Sequence, residues 1–176
     1  MARRTLDFVY FAGGVLAALF IVAIGLLICA QVIGRELGIQ VKGADDLTAW
    51  SVVATGFLPL AYTYRHGSHI RVTVVIHLFD GMARRLMELG VMAVALYFIG
   101  FLTYSAFDMA WDSLRFEELS QGLIVIPIWI PQISIGLGSL LLTIAVLDDV
   151  IASLRGQTPP YMVESEALGR PVENVD

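Results

Sequence analysis

The feature that most constrains this chain is a run of apolar residues that is too long for an ordinary core helix. Residues 8–33 contain no charged side chain, and about 20 apolar residues suffice to cross a hydrocarbon layer of about 30 Å. Three further stretches, 47–64, 89–107 and 128–147, have the same character. The first run is also much longer than the apolar part of a signal peptide, so we expect it to be retained. We predict an all-α integral membrane protein with four transmembrane helices.

The composition excludes several other classes of protein. Hydrophobic residues make up 57% of the chain and charged residues 15%, whereas soluble domains are about 45–50% apolar and about 25% charged. A water-soluble globule, a disordered chain and a nucleic-acid binder are therefore ruled out. The single cysteine, Cys29, excludes a disulfide framework, a redox pair of thiols and a cysteine-rich metal site.

The distribution of basic residues predicts the orientation, because Lys and Arg accumulate in loops that stay in the cytoplasm. If all four spans cross, eight arginines lie on one side and three basic residues on the other. The eight are Arg3, Arg4, Arg65, Arg71, Arg84, Arg85, Arg155 and Arg170, and the three are Arg35, Lys42 and Arg115. We predict cytoplasmic termini, a membrane domain over residues 1–155 and a disordered cytoplasmic tail over 156–176. The net charge of −5 averages a basic inner face with acidic outer loops and an acidic tail.

The inner loop between the second and third spans predicts an interfacial helix. Apolar residues recur at steps of three and four over 72–86, which is typical of an amphipathic helix lying in the membrane plane. In the span before it, Pro59 predicts a kink near Thr55 and Gly56. Three histidines of this region, His66, His69 and His77, leave open the alternative of a membrane anchor subunit in a redox or haem complex.

The spans lack the residues on which most membrane chemistry depends. None contains Asp, Glu, Lys, Arg or His in its interior, and such residues usually mark ion pathways, proton relays or counter-ions. This disfavours an exporter that acts alone and a haem ligated within the membrane. Phosphate-binding loops and nucleophile motifs are also absent from the sequence. We therefore expect an accessory subunit that is not an enzyme, with no cofactor and no catalytic, substrate-binding or metal residue of its own.

Two motifs, in this order and spacing, resemble the small membrane subunit of tripartite ATP-independent periplasmic (TRAP) transporters. The first follows the second span and reads Arg65-x-Gly67-x-His69-Ile70-Arg71-Val72. The second enters the fourth span and reads Ser120…Ile126-Pro127-x-Trp129-x-Pro131…Gly136. The resemblance covers residues 6–155, and only the tail falls outside it.

This resemblance implies a DctQ-like subunit of a sodium-coupled secondary transporter for organic acids in the bacterial inner membrane. It implies two protein partners: a large multi-span subunit, which moves as an elevator and holds the sodium and substrate sites, and a periplasmic substrate-binding protein. The small subunit would enlarge the static scaffold and help to dock the binding protein. We expect it to be a polypeptide separate from the large subunit.

The resemblance and the topology together suggest roles for three sets of residues. Basic residues near the inner surface are predicted to hold lipid headgroups: Arg65, His69, Arg71, Arg84 and Arg85. Four residues are predicted to form the outer entry of the fourth span: Pro127, Trp129, Pro131 and Gly136. Charged outer-loop residues are candidates for contact with the binding protein, with simple solvated charges as the alternative: Asp108, Asp112, Arg115, Glu117 and Glu118.

Overall fold

The computed structural model describes residues 2–66, 81–122 and 124–155, with side chains from residue 6 onward except at 81–86 and 88. Within these ranges every regular element is an α-helix. The helices are α1 (Ala2–Glu36), α2 (Ala44–Phe57), α3 (Leu60–Arg65), α4 (Gly81–Arg115) and α5 (Trp129–Leu154). The prediction of an all-helical protein is therefore confirmed for the described part of the chain.

Three helical segments are long and apolar enough to cross a membrane: Leu6–Glu36, Leu89–Arg115 and Trp129–Leu154. They correspond to the first, third and fourth predicted spans. At about 1.5 Å per residue, even the shortest of them is longer than a hydrocarbon layer of about 30 Å. Each can therefore cross with a tilt, or with some of its turns outside the layer.

The second predicted span is divided into α2 and α3 at Leu58 and Pro59. Proline has no amide hydrogen, so the helical bond to the Thr55 carbonyl cannot form. The Leu58 amide still donates to the Ala54 carbonyl at 3.0 Å, and Leu58 and Pro59 both keep right-handed backbone angles. Helix α2 consequently continues past Gly56, and the regular helix is interrupted at residues 58–59; the kink near Thr55 and Gly56 stays a prediction.

The helices form a row. Helix α5 packs on α4 at one side and on α2 and α3 at the other, while α1 packs on α2 and α3. In the most apolar stretch of each long helix, the buried share of residues is 44% for α5, 17% for α4 and 6% for α1. The two helices at the ends of the row therefore expose apolar faces that require lipid or a protein partner.

Glycines of α1 and α5 approach the interrupted helix closely. A methyl group at Gly13 would lie 2.7 Å from the carbonyl oxygen of Leu58, and one at Gly138 would overlap the carbonyl group of Phe57. Residues without a side chain allow helix backbones to come this near in a membrane. The contacts thus pack α1 and α5 directly against the interruption beside Pro59.

Helix α4 begins eight residues before the predicted third span and ends eight residues after it. Residues 81–86, predicted as the end of the interfacial helix, are continuous with the spanning helix. The remainder of that predicted helix, 72–80, lies outside the described residues, as does the predicted tail at 156–176. The interfacial helix and the tail stay predictions.

Replacing Gly138 by Ala is expected to lower the unfolding midpoint of the purified protein in detergent. The added methyl would overlap the backbone of Phe57, and such overpacking typically costs about 1–3 kcal/mol. Gly25→Ala is the matched control, because a methyl group there meets no atom within 4 Å and alanine favours the helix. Thermal unfolding of the two variants checks this, and equal midpoints would contradict the close contact at Gly138.

Candidate functional site

Charged side chains from three helices meet where α3 ends. The Nη1 group of Arg65 donates a hydrogen bond to Oδ2 of Asp148 at 3.1 Å, and its Nη2 atom lies 3.3 Å from Oδ1 of Asp7. The guanidinium also lies over the ring of Tyr10, 5.8 Å from the ring centroid. Asp149, beside Asp148, is 1% exposed. These five residues form what we call the inner cluster.

The two ion pairs of the inner cluster differ in their exposure to water. The side chain of Arg65 is 11% exposed, that of Asp148 26% and that of Asp7 56%. Because water screens an exposed pair, the bridge to Asp148 should contribute more than the bridge to Asp7.

Apolar packing beside the inner cluster brings its three helices together. Ala61 of α3 and Ala145 of α5 are completely buried, because small side chains let these helices approach closely. Four larger residues complete this core: Tyr10, Tyr64, Leu142 and Val146. The inner cluster is therefore a fixed cross-link between α1, α3 and α5 rather than a set of separate surface charges.

The inner cluster gives Arg65 contacts that the sequence did not predict. The position of Arg65 after a span predicts a contact with lipid headgroups, and no local pattern links it to Asp7 or Asp148. A usable signal exists: Asp7 precedes the first span and Asp148 ends the fourth, so the predicted topology puts both on the side of Arg65. The headgroup roles stay predictions. His69 and Arg71 lie outside the described residues, and for Arg84 and Arg85 only the backbone, at the start of α4, is described.

His66 is held against its own helix. Its Nδ1 atom lies 2.8 Å from the Tyr62 carbonyl oxygen, which can only accept, so Nδ1 carries the proton. Its ring lies against that of Tyr62, with 4.1 Å between the centroids and 35° between the ring planes. Among the described residues no three His, Cys, Asp or Glu side chains are grouped to hold a metal ion. His69 and His77, which the haem alternative also invokes, lie outside the described ranges.

The chain between α4 and α5 folds back on itself over residues 116–128, which we call the outer hairpin. The Ser120 amide donates to the Ile126 carbonyl at 2.9 Å, and the Ile128 amide donates to the Glu118 carbonyl at 3.1 Å. The hydroxyl of Ser113, at the end of α4, donates to Oε2 of Glu118 at 2.7 Å. These bonds fasten the outer hairpin to the end of α4.

The outer hairpin also rests on the beginning of α2. A methyl group at Gly122 would overlap the carboxylate of Asp46, and one at Gly43 would overlap the side chain of Ile124. Gly43 has a φ of 74°, a left-handed conformation that glycine adopts without steric cost. The start of α2 and the outer hairpin are therefore fitted to each other.

Three of the five charged candidates for partner contact share one face of α4. Asp108, Asp112 and Arg115 follow each other at steps of four and three, which places them in line, and all three are exposed. We call these three residues the outer ridge. Glu117 and Glu118 are exposed in the adjoining hairpin, where the carboxylate of Glu118 is engaged by Ser113.

The second sequence motif forms the beginning of α5. Pro127 pairs with Leu119 across the outer hairpin, and Trp129 is the first residue of α5. Pro131 is its third residue, where a missing amide hydrogen costs little because first-turn amides have no partner within the helix. Gly136 is buried against Phe107, and a methyl group added to this glycine would lie 3.0 Å from the Phe107 ring. These residues place α5 against α4.

A row of apolar helices, with one group of polar residues where α3 ends and another at the opposite ends of the helices, defines a small helical membrane protein. The chain belongs to the family of the DctQ component of tripartite ATP-independent periplasmic transporters, whose profile matches residues 24–156. It is thus the small component of a transporter that has further subunits. No curated protein matches the chain.

Replacing Arg65 by Gln is expected to destabilise the protein by about 1–3 kcal/mol, the usual cost of leaving a shielded polar partner unsatisfied. Arg115→Gln is the matched control, because it removes the same charge from an exposed position.

Among the acids, Asp148→Asn should lower the unfolding midpoint more than Asp7→Asn, since Asp148 is the less exposed. Thermal unfolding in detergent checks both comparisons, and an Arg65 variant that unfolds like the Arg115 variant would refute the cross-link.

Proposed function

We propose that this chain is the scaffold subunit of a TRAP-type secondary transporter that couples sodium entry to the uptake of an organic acid. In this role it supports a large multi-span elevator subunit and helps to dock a periplasmic substrate-binding protein. It crosses the bacterial inner membrane four times with both termini in the cytoplasm. It performs no catalysis, holds no cofactor and binds no substrate itself.

The observation that carries the scaffold role is the polar content of the three long spans. Their apolar stretches, 8–33, 89–107 and 128–147, contain no Asp, Glu, Lys, Arg or His, and the acids of these helices lie nearer the helix ends. In the core of α4 and α5, the Thr143 hydroxyl bonds to the Ser139 carbonyl of its own helix at 2.8 Å, and the Thr103 hydroxyl bonds to that of Thr143 at 3.0 Å. Pathways for ions and protons are usually marked by ionisable groups. The transport step is accordingly assigned to the large subunit.

The fourth crossing is assigned to α2 and α3 together. Residues 44–65 would extend over about 33 Å at 1.5 Å per residue, which matches a hydrocarbon layer of about 30 Å. Irregular backbone at membrane depth is tolerated where protein covers it, and Gly13 and Gly138 bring α1 and α5 against the interruption. The excess of arginines in the inner loops then supports cytoplasmic termini.

The docking surface is assigned to the outer ridge and the outer hairpin. Helix α4 continues for eight residues beyond the predicted third span, which is about 12 Å of helix. This extension carries Asp108, Asp112 and Arg115, and the bond between Ser113 and Glu118 holds the hairpin against it. A fixed, charged projection can select a partner with complementary charges.

Affinity purification of the tagged chain in mild detergent tests the scaffold role. We expect a large multi-span membrane protein to be isolated with it, because the exposed faces of α1 and α4 require partners or lipid. Recovery only as a homo-oligomer would contradict the proposal. So would a Soret absorption band that His69→Ala abolishes, since it would favour the haem-anchor alternative.

Reversing two charges of the outer ridge tests the docking role. Asp108→Lys with Asp112→Lys is expected to weaken binding of the periplasmic protein to the purified complex, and the effect should shrink at high salt. Glu36→Lys, at the exposed end of α1, is the control for a general change of outer charge. Binding measured by surface plasmon resonance that is unchanged in the double variant, or equally reduced in the control, would exclude the outer ridge.

A further inference from the structure

We propose that Glu117 is the residue of the outer hairpin that selects the periplasmic partner, through an ion pair with a basic side chain of that protein. The inference rests on the proposed docking role. It goes further than that role because it singles out one carboxylate of the outer surface and names the chemical group that this carboxylate binds. It also assigns the neighbouring Glu118 to the fold instead.

Glu117 has a backbone conformation that its residue type adopts only at a steric cost. Its φ is 51°, in the left-handed region where the Cβ atom comes too close to the following carbonyl oxygen. Among the described residues, the other two positive φ angles belong to glycines, Gly38 and Gly43. The bonds around Glu117 must therefore impose this conformation on it.

Those bonds close the end of α4. The Glu118 amide donates to the Ser113 carbonyl at 3.0 Å, and the Glu117 amide donates to the Leu114 carbonyl at 3.4 Å. This pair of bonds ends many helices over one left-handed residue, which is usually glycine. At the end of α4 that position is occupied by a glutamate.

The end of α1 provides an internal comparison, because the same two bonds close it. The Ile39 amide donates to the Gly34 carbonyl at 2.7 Å, and the Gly38 amide donates to the Arg35 carbonyl at 3.1 Å. The left-handed residue here is Gly38, with a φ of 70°, and glycine adopts this conformation without steric cost. A glycine is thus sufficient for the turn, so the turn itself does not explain the side chain of Glu117.

The carboxylate of Glu117 is exposed and makes no hydrogen bond or ion pair with the described residues. The carboxylate of Glu118, in contrast, accepts the hydroxyl of Ser113 at 2.7 Å. The negative end of the helix dipole also disfavours an acid at the end of α4. Residues that break local preferences without an internal compensation are expected at functional sites.

The position and charge of Glu117 specify its partner. The residue follows the extension of α4, so in the proposed orientation it lies outside the hydrocarbon layer, where anionic headgroups would repel it. The described residues hold no group of three possible metal ligands. A basic side chain of a protein supplies the complementary charge, and Phe116, which is 68% exposed, adds the aromatic contact that is common in protein interfaces.

Three replacements separate the backbone strain from the charge. Glu117→Gly removes both, whereas Glu117→Ala and Glu117→Gln remove only the charge. In thermal unfolding of the purified chain, we expect the glycine variant to have a midpoint about 2 °C above that of the alanine variant. Gly38→Ala is the converse control and should lower the midpoint, because its methyl group meets no atom within 4 Å and only the backbone is strained. A glycine variant no more stable than the alanine variant would refute the strain.

Binding of the periplasmic protein to the purified complex, measured by surface plasmon resonance, tests the ion pair. All three variants should weaken binding about three-fold, the contribution of one exposed ion pair, and the loss should shrink at high salt. Glu36→Gln, at the exposed end of α1, is the matched control and should leave binding unchanged. The glycine variant would then be more stable than the unaltered protein and yet bind less tightly.

The remaining outcomes distinguish this inference from the proposed function. If the outer ridge variant weakens binding but the three Glu117 variants do not, this inference is wrong and the docking role stands. If the unaltered complex does not bind the periplasmic protein, the docking role fails and the inference fails with it. If Glu117→Ala instead prevents isolation of the large subunit, the carboxylate binds that subunit, and the periplasmic contact is refuted.

Discussion

The interruption at Pro59 imposes the constraint on which the other helix positions depend. In the proposed fourth crossing this interruption lies in hydrocarbon, where an unsatisfied backbone group costs several kcal/mol, so it needs protein around it. Gly13 and Gly138 let α1 and α5 supply that cover by approaching the carbonyls of Leu58 and Phe57. Helix α4 then packs on α5. Pro59, Gly13 and Gly138 thereby determine which helices pack next to each other in the row.

The inner cluster fixes the position of α3, the short helix that follows the interruption. Helix α3 has six residues, too few to be stable alone, so its position depends on tertiary contacts. Ala61 provides one through close packing, and Arg65 provides another through Asp148 and Asp7. These ion pairs also affect how much of the positive charge at the predicted inner surface is free to attract lipid. Arg65 contributes to the positive side of the topology but is paired with carboxylates, and so has less charge to offer to lipid than an isolated arginine.

Local sequence properties predicted the helices but not the contacts between them. The long apolar runs gave the three spanning helices because hydropathy is a property of each segment alone. The interruption appears at Leu58 and Pro59 because amides ahead of a proline keep their acceptors, as that of Leu58 does with Ala54. The sequence did not predict that the third spanning helix extends from Gly81 to Arg115, because polar residues end a hydrophobic run without ending a helix. The bridges of Arg65 join residues 58 and 83 positions apart, which no local pattern reports.

A row of helices suits a scaffold better than a carrier. A closed bundle turns its side chains inward and can line a path, whereas a row gives each terminal helix a wide outer surface. The low share of buried residues in α1 and α4 follows from this arrangement. Such a surface can hold lipid and a protein partner over a long perimeter, and the drag of that perimeter resists movement across the bilayer. The scarcity of charge in the apolar stretches and the open arrangement of the helices therefore both support the proposed scaffold role, in which this chain stays in place while another subunit moves.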